Sequence, residues 1–138
     1  MTTLARDRRI GELLVESAMH AGIHTCARET PLLEVAATMA REHIHCVVVK
    51  SSSDEGGPPW GIVSDLDLVA AAIVRDLADQ TAGGSAATPV VMIAPYETLE
   101  RAAQLMTEHG SSHLIVVDRA RQLPVGVLST LDVAGALA

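Results

Sequence analysis

Phenylalanine is absent from this sequence, and tryptophan and tyrosine occur once each, as Trp60 and Tyr96. A platform on which single-stranded bases could stack is therefore missing. Positive charge is scarce too: 10 Lys and Arg stand against 17 Asp and Glu, a formal net charge of −7. That balance disfavours sequence-independent binding to nucleic acid phosphates. Two cysteines, Cys26 and Cys46, are too few for a disulfide framework. No stretch reaches the ~20 uninterrupted apolar residues that a membrane span requires. The N-terminal MTTLARDRRIGELLVESAMHAG is basic at its start, but Glu12 and Glu16 interrupt it before a signal-peptide core can form. The expectation is a soluble cytoplasmic protein with neither nucleic acid nor membrane as partner. No Gly-x-Ser-x-Gly elbow, phosphate loop or paired-histidine motif occurs, and Ser64 and Ser129 have no base positioned beside them in sequence. An enzyme is not expected.

What the sequence has is aliphatic residues in a repeated order. Apolar residues make up 49% of 138 positions, enough for one compact domain or two small halves sharing a core. LLEVAATMAREH (32–43) resembles TLERAAQLMTEH (98–109), with Glu42 matching Glu108 at a spacing of 66. On that alignment Leu33, Ala36, Ala37 and Ala40 form one helical stripe, and Leu99, Ala102, Ala103 and Met106 form the other. Thr30-Pro31 supplies an N-cap and a first-turn proline for the earlier helix. The runs HCVVVK (45–50) and HLIVVD (113–118) read as buried strands, 68 residues apart by their histidines. Turns follow at 51–59 and 119–124, then strands ending GIVS and GVLS, then helices LDLVAAAIVRDLA and TLDVAGALA. GIHTC (22–26) and PVVMI (89–93) precede the amphipathic helices as further strands. The predicted fold is α/β (α+β): two β-α-β-β-α repeats packed sheet-to-sheet with pseudo-two-fold symmetry. Residues 1–78 hold an N-terminal segment and the first repeat, 79–88 a small-residue linker, and 89–138 the second repeat.

The chemistry concentrates where each repeat passes from strand to last helix, at GIVSDLD (61–67) and GVLSTLD (126–132). A Ser at an N-cap with an acid three residues on is close to a capping box, in which both side chains satisfy free backbone N–H groups. Capping alone does not call for Gly three residues upstream in both copies. A glycine there lets a ligand or a neighbouring backbone come close. Both readings, cap and ligand site, stay open on the residues alone.

In this order the segments TPLLEVAATMAREH, CVVV and WGIVSDLD, and TPVVMIAPYETLERAAQLMTEHGSSHLIVVD with PVGVLSTLD, resemble the cystathionine-β-synthase (CBS) domain. Roughly residues 10–138 resemble one tandem pair of such domains, a Bateman module. The resemblance implies a regulatory protein that binds an adenosine-containing ligand between its repeats. It implies Gly61, Ser64 and Asp67 at one site and Gly126, Ser129 and Asp132 at the other, with Asp holding the ribose hydroxyls and Ser the ribose or first phosphate. Cys26, Val47, Met92 and Ile115 are implied around the base. It further implies a flat homodimer and, since no effector domain is attached, output through a separate effector protein. Two departures stand out. Val47 and Ile115 occupy places where the family often has Pro, and neither Asp65-Leu66 nor Thr130-Leu131 contains the basic residue often found between Ser and Asp.

Charge selects among ligands. A helix N-terminus favours anions, but Asp65 and Asp67 oppose phosphate at the first copy. The second copy, with one acid fewer and a second hydroxyl, is expected to bind better. AMP, adenosine or S-adenosylmethionine are expected over ATP, unless Arg28, Arg101 or Arg119 folds in. His24, Cys26, His43, His45 and Cys46 follow no closed metal-site spacing, so neither a metal nor a resident cofactor is expected. Trp60 is read as covering a sheet edge, Asp54-Glu55 as solvated surface, and Met19, Met39, Met92 and Met106 as core filler. The rival reading is a ligand-free dimeric scaffold whose Ser-x-x-Asp units only cap helices.

Overall fold

A computed structural model describes residues 10–51 and 58–138. The basic start of the chain and the Asp54-Glu55 turn lie outside the described residues. The elements run α1 (Val15–Ala18), β1 (His20–Ala21), β2 (Thr25–Cys26), α2 (Leu32–Glu42), β3 (Cys46–Lys50), β4 (Pro59–Ser64) and α3 (Asp65–Val74). A 3₁₀ turn at Leu77–Asp79 then leads to α4 (Ala82–Ser85), β5 (Met92–Ile93), α5 (Leu99–His109), β6 (His113–Asp118), β7 (Leu123–Ser129) and α6 (Thr130–Leu137). The expected β-α-β-β-α order is present twice, in a mixed α+β chain.

The backbone forms two compact units. One is His24–Val90; the other joins the residues up to Ile23 to Val91–Ala138. In the first unit β2 runs parallel to β3 and β4 antiparallel to it. In the second, β5 is parallel to β6, β7 antiparallel to β6, and β1 adds antiparallel to β7. The segment expected to be a linker, 79–88, is folded in the first unit: Thr81 caps α4 through its side chain, Ala82 is fully buried, and Ala87 bridges Ile62 of β4.

The repeat spacing is 67, seen from Val15 to Ala82, Thr25 to Met92, Leu32 to Leu99 and Cys46 to His113. It falls to 65 after the hairpins, from Ser64 to Ser129. Both hairpins shift register at the same place, after Val49 and after Val116. The spacing of 66 read from Glu42 and Glu108 slips the first helix by one residue, about 100° around its axis. Hence Leu33 is 55% exposed, and α2 buries Leu32, Val35 and Met39 instead. The stripe expected for the second copy is confirmed at Leu99, Ala102 and Met106. Thr30 does not cap α2: Pro31 stands at the N-cap without a side-chain bond, and Thr30 Oγ1 accepts from Ala27 N–H in the turn before.

The cores match position for position. Leu32, Val47 and Val63 fill the first unit where Leu99, Leu114 and Leu128 fill the second. The amphipathic helices α2 and α5 lay their apolar faces on the sheet strands of their own units, and the last helix of each unit starts directly from a packed hairpin.

Candidate functional site

Each strand-to-helix junction is a complete capping box. Ser64 N–H donates to Asp67 Oδ2 (2.8 Å), and Asp67 N–H donates to Ser64 Oγ (3.2 Å). Ser129 N–H donates to Asp132 Oδ2 (2.8 Å), and Asp132 N–H donates to Ser129 Oγ (3.1 Å). Ser64 Oγ also donates to Asp67 Oδ2 (2.9 Å). A serine held this way is locked in a helix cap, not poised as a nucleophile. The junctions are further tied to the residues that lead into β3 and β6, since Asp65 N–H donates to His45 O and Thr130 N–H to Ser112 O, both 2.9 Å.

The two glycines have a physical reason. A Cβ on Gly61 would lie 2.9 Å from Ala86 Cβ and from Thr88 Cγ2 and 3.1 Å from Ala87 O. A Cβ on Gly126 would lie 2.5 Å from His20 O and 2.9 Å from Met19 Sδ. At both places it is a neighbouring stretch of chain that needs the space. On Gly126 that stretch is β1, where Ala21 pairs with Gly126 and His20 with Val127.

β1 brings a residue that sequence reading passed over. His20 Nε2 stands 3.0 Å from Asp132 Oδ1, the oxygen the cap does not use; His20 is 80% exposed and Asp132 11%. The structural spacing of 67 aligns His20 with Ala87, but the letters around them share nothing that would have revealed the pair. At the first junction Asp65 Oδ2 lies 3.2 Å from His45 Nδ1 at the surface, while Asp67 forms no ion pair among the described residues.

The four residues implied around a base separate by face. Val47 and Cys26 turn toward the helix-side core of the first unit. Ile115 lies between Leu114 and Val116, which fill the second unit's core, so it points from the other face of its sheet, where it is still buried. Met92 pairs with Ile115 and is about half exposed. By register the counterpart of Cys26 is Ile93 and that of Val47 is Leu114, so the four do not form two matched pairs. Burial pushes the Cys26 thiol up to about 11, which favours the neutral thiol at neutral pH.

Arg28 and Arg101 are engaged away from the junctions, whereas Arg119 stands beside Met92. Arg28 stacks on Trp60 with its guanidinium 4.3 Å from the ring centroid, and its Nη2 donates to Ser51 O (3.1 Å). Trp60 packs against the first core beneath it. Arg101 Nη1 donates to Gln104 Oε1 (3.5 Å). Arg119 lines an open cavity of about 350 Å³ with Met92, Ile93, Val117 and Gln122, beside the β6–β7 turn and at the far end of β7 from Ser129. Among the described residues no group of three His, Cys, Asp or Glu side chains could hold a metal ion. Nor is any helix among them long and apolar enough to cross a membrane.

The family model of the CBS domain matches residues 11–73 and again 84–138. The chain belongs to the CBS-domain family. It is similar in fold to the CBS domain pair of protein MJ0100, solved in complex with 5′-methylthioadenosine and S-adenosyl-L-methionine. That match has 21% identity and a TM-score of 0.78, covering 91% of this chain and 99% of the other. The CBS-domain containing protein ATU1752 from Agrobacterium tumefaciens matches at 23% identity and TM-score 0.76, over 91% of this chain and 93% of its own. The hexameric CBS-CP12 protein from bloom-forming cyanobacteria matches at 21% and 0.78, over 88% and 69%. No curated protein matches. Each CBS match spans one β-α-β-β-α repeat, the first taking in the short helix before it and the second starting inside its own.

Proposed function

We propose that this CBS-domain pair is a regulatory module, not an enzyme, that senses an adenosine-containing ligand. Its half-sites are built on Gly61, Ser64 and Asp67 and on Gly126, Ser129 and Asp132, with Cys26, Val47, Met92 and Ile115 as the residues to test around the base. The observation that carries the reading is the second oxygen of the capping aspartate. Oδ2 is spent on the cap, whereas Asp132 Oδ1 faces a group from outside the helix, His20 Nε2, at 3.0 Å. An oxygen open to an exposed imidazole is open to the hydroxyls of a ribose. The adenosyl ligands of the similar MJ0100 domain pair support the ligand class. Acids on the first turn, Asp65 and Asp67, support AMP, adenosine or S-adenosylmethionine over ATP.

Output passes to a separate effector protein in the cytoplasm, a compartment with which two cysteines outside any disulfide agree. Copies of the chain pair as a homodimer. Leu66, Val69 and Ile73 repeat at i, i+3 and i+7 along α3 and are exposed, Ile73 by 83%, an apolar face suited to a second copy. A monomeric mass in light scattering at micromolar concentration sinks the dimer.

The scaffold reading keeps one observation in its favour: both caps are complete and both glycines are occupied by the chain itself. A thermal-shift panel of AMP, ADP, ATP, adenosine, S-adenosylmethionine, NAD and guanine nucleotides separates the two. Ligand at ~100 times its dissociation constant adds roughly 2.7 kcal/mol, several degrees for a chain this size. A rise with adenosyl ligands, lost in Asp67→Ala and Asp132→Ala, supports the sensor; a flat panel leaves the scaffold.

A further inference from the structure

We infer that His20 sets the two half-sites apart, holding the second one occupied from within while the first stands open. The inference rests on the sensor reading above. Asp132 has two carboxylate oxygens and the structure assigns both: Oδ2 accepts from Ser129 N–H at 2.8 Å, and Oδ1 faces His20 Nε2 at 3.0 Å. A ribose diol that is to bond Asp132 through Oδ1 meets the His20 ring there and must share that oxygen with it or displace it.

The placement of His20 follows from the backbone. Ala21 pairs with Gly126 and His20 with Val127, and only a glycine at 126 allows the His20 carbonyl so near. α1, buried through Val15, anchors the residue before it: Met19 N–H donates to Val15 O. The His20 backbone is therefore a fixture of the sheet edge, while its ring is open to solvent.

The first repeat repeats the frame without the side chain. Ala87 bridges Ile62 as His20 pairs with Val127, and Gly61 gives way to Ala87 O as Gly126 does to His20 O. Ala87 has no group to offer Asp67, whose cap is otherwise the same. The nearest imidazole on that junction, His45, goes to Asp65 instead. The consequence reverses the ranking that charge alone suggests: the second junction has one acid fewer, but its aspartate is engaged. Ligand enters first at Asp67, and displacement of His20 from Asp132 becomes the step at which a second molecule, or a signal carried through the chain before β1, acts.

Calorimetric titration of the full chain with AMP, adenosine and S-adenosylmethionine tests this. For His20→Ala, the Asp132-dependent event is expected to tighten about fivefold, the scale of a largely exposed ion pair. His20→Gln, which keeps a donor, is expected to stay near the unmodified protein. Adding Asp132→Asn to His20→Ala is expected to abolish the gain while the Asp67-dependent event persists. Unchanged or weaker affinity in a folded His20→Ala protein, judged by circular dichroism, overturns the inference and makes His20 a bystander or a ligand contact. Binding by none of the three ligands to any variant overturns the sensor reading, and this inference with it.

Discussion

The two repeats close their last hairpin with the same cap, Ser64 with Asp67 and Ser129 with Asp132, yet the chain laid beside each differs. Beside the second runs β1, carrying His20; beside the first runs the segment around Ala87. The shared letters serve the fold: glycine makes room for a crossing backbone, and serine and aspartate start a helix. What separates the junctions chemically is a residue outside the motif. Duplication thus marks the frame, and the positions where copies differ show what each frame has been given to do.

The largest break in this comparison is steric. Gly126→Ala puts a methyl 2.5 Å from a backbone oxygen, whereas Gly61→Ala meets two methyl groups at 2.9 Å and a carbonyl at 3.1 Å. Crowding of this kind costs about 1–3 kcal/mol. We expect Gly126→Ala at the upper end and Gly61→Ala near the lower, as shifts of the guanidinium unfolding midpoint. Equal losses would mean that β1 yields as easily as the segment at 86–88, and the fixed position of His20 would no longer hold.

Next come the caps. Asp67→Ala is expected to cost ~1 kcal/mol of stability without ligand, the usual loss of a cap. Asp132→Ala loses the same cap and the His20 contact, so it should cost more by up to ~1 kcal/mol. In the His20→Ala background that excess should vanish, a double-mutant cycle read by thermal unfolding. A cycle that closes to zero would dissolve the pair.

How much of this was legible depends on what the letters encode. The element order, the aliphatic strands and both capping boxes were readable, because periodicity and the Ser-x-x-Asp spacing are local properties. The first helix face was misread at Leu33 because Glu42 and Glu108 are surface residues, free to drift relative to the buried frame. Leu32 and Leu99 carry the true register, since only buried positions are constrained to coincide. Segment 79–88 looked like a spacer because its residues are small, but smallness is what lets Ala82 fill a core place where Val15 sits in the other unit. Cys26 and Met92 were set together although β2 and β5 offset them by one residue, which turns them to opposite faces. The His20–Asp132 contact joins residues more than a hundred positions apart, and no local pattern announces it.

A smaller contrast lies at the ends of the amphipathic helices. α5 ends on Gly110 at φ +60°, and α2 ends on His43 at φ +54°. The left-handed C-cap suits glycine and costs other residues roughly 1 kcal/mol. His43→Gly is therefore expected to raise the urea midpoint by an amount equivalent to about 0.5–1 kcal/mol, and Gly110→Ala to lower it by a similar amount. If His43→Gly destabilises, its imidazole contributes something that the backbone conformation does not reveal.

The finest contrast is Cys26 against its counterpart Ile93. Burial raises the Cys26 thiol from 9.0 to about 11, with the Thr30 bond opposing and Glu34 adding to the rise. Because the folded value exceeds the unfolded one, the neutral thiol's contribution is whole below pH 9 and is lost as pH climbs toward 11. Unfolding of the chain between those values should therefore show a decline in stability that Cys26→Val lacks, an apolar side chain standing there as Ile93 does in the second unit. The comparison is made between the two proteins at each pH, so that every effect common to both cancels. Parallel curves would mean that the thiol is as well solvated folded as unfolded, and that the edge of the first sheet opens where the second stays shut.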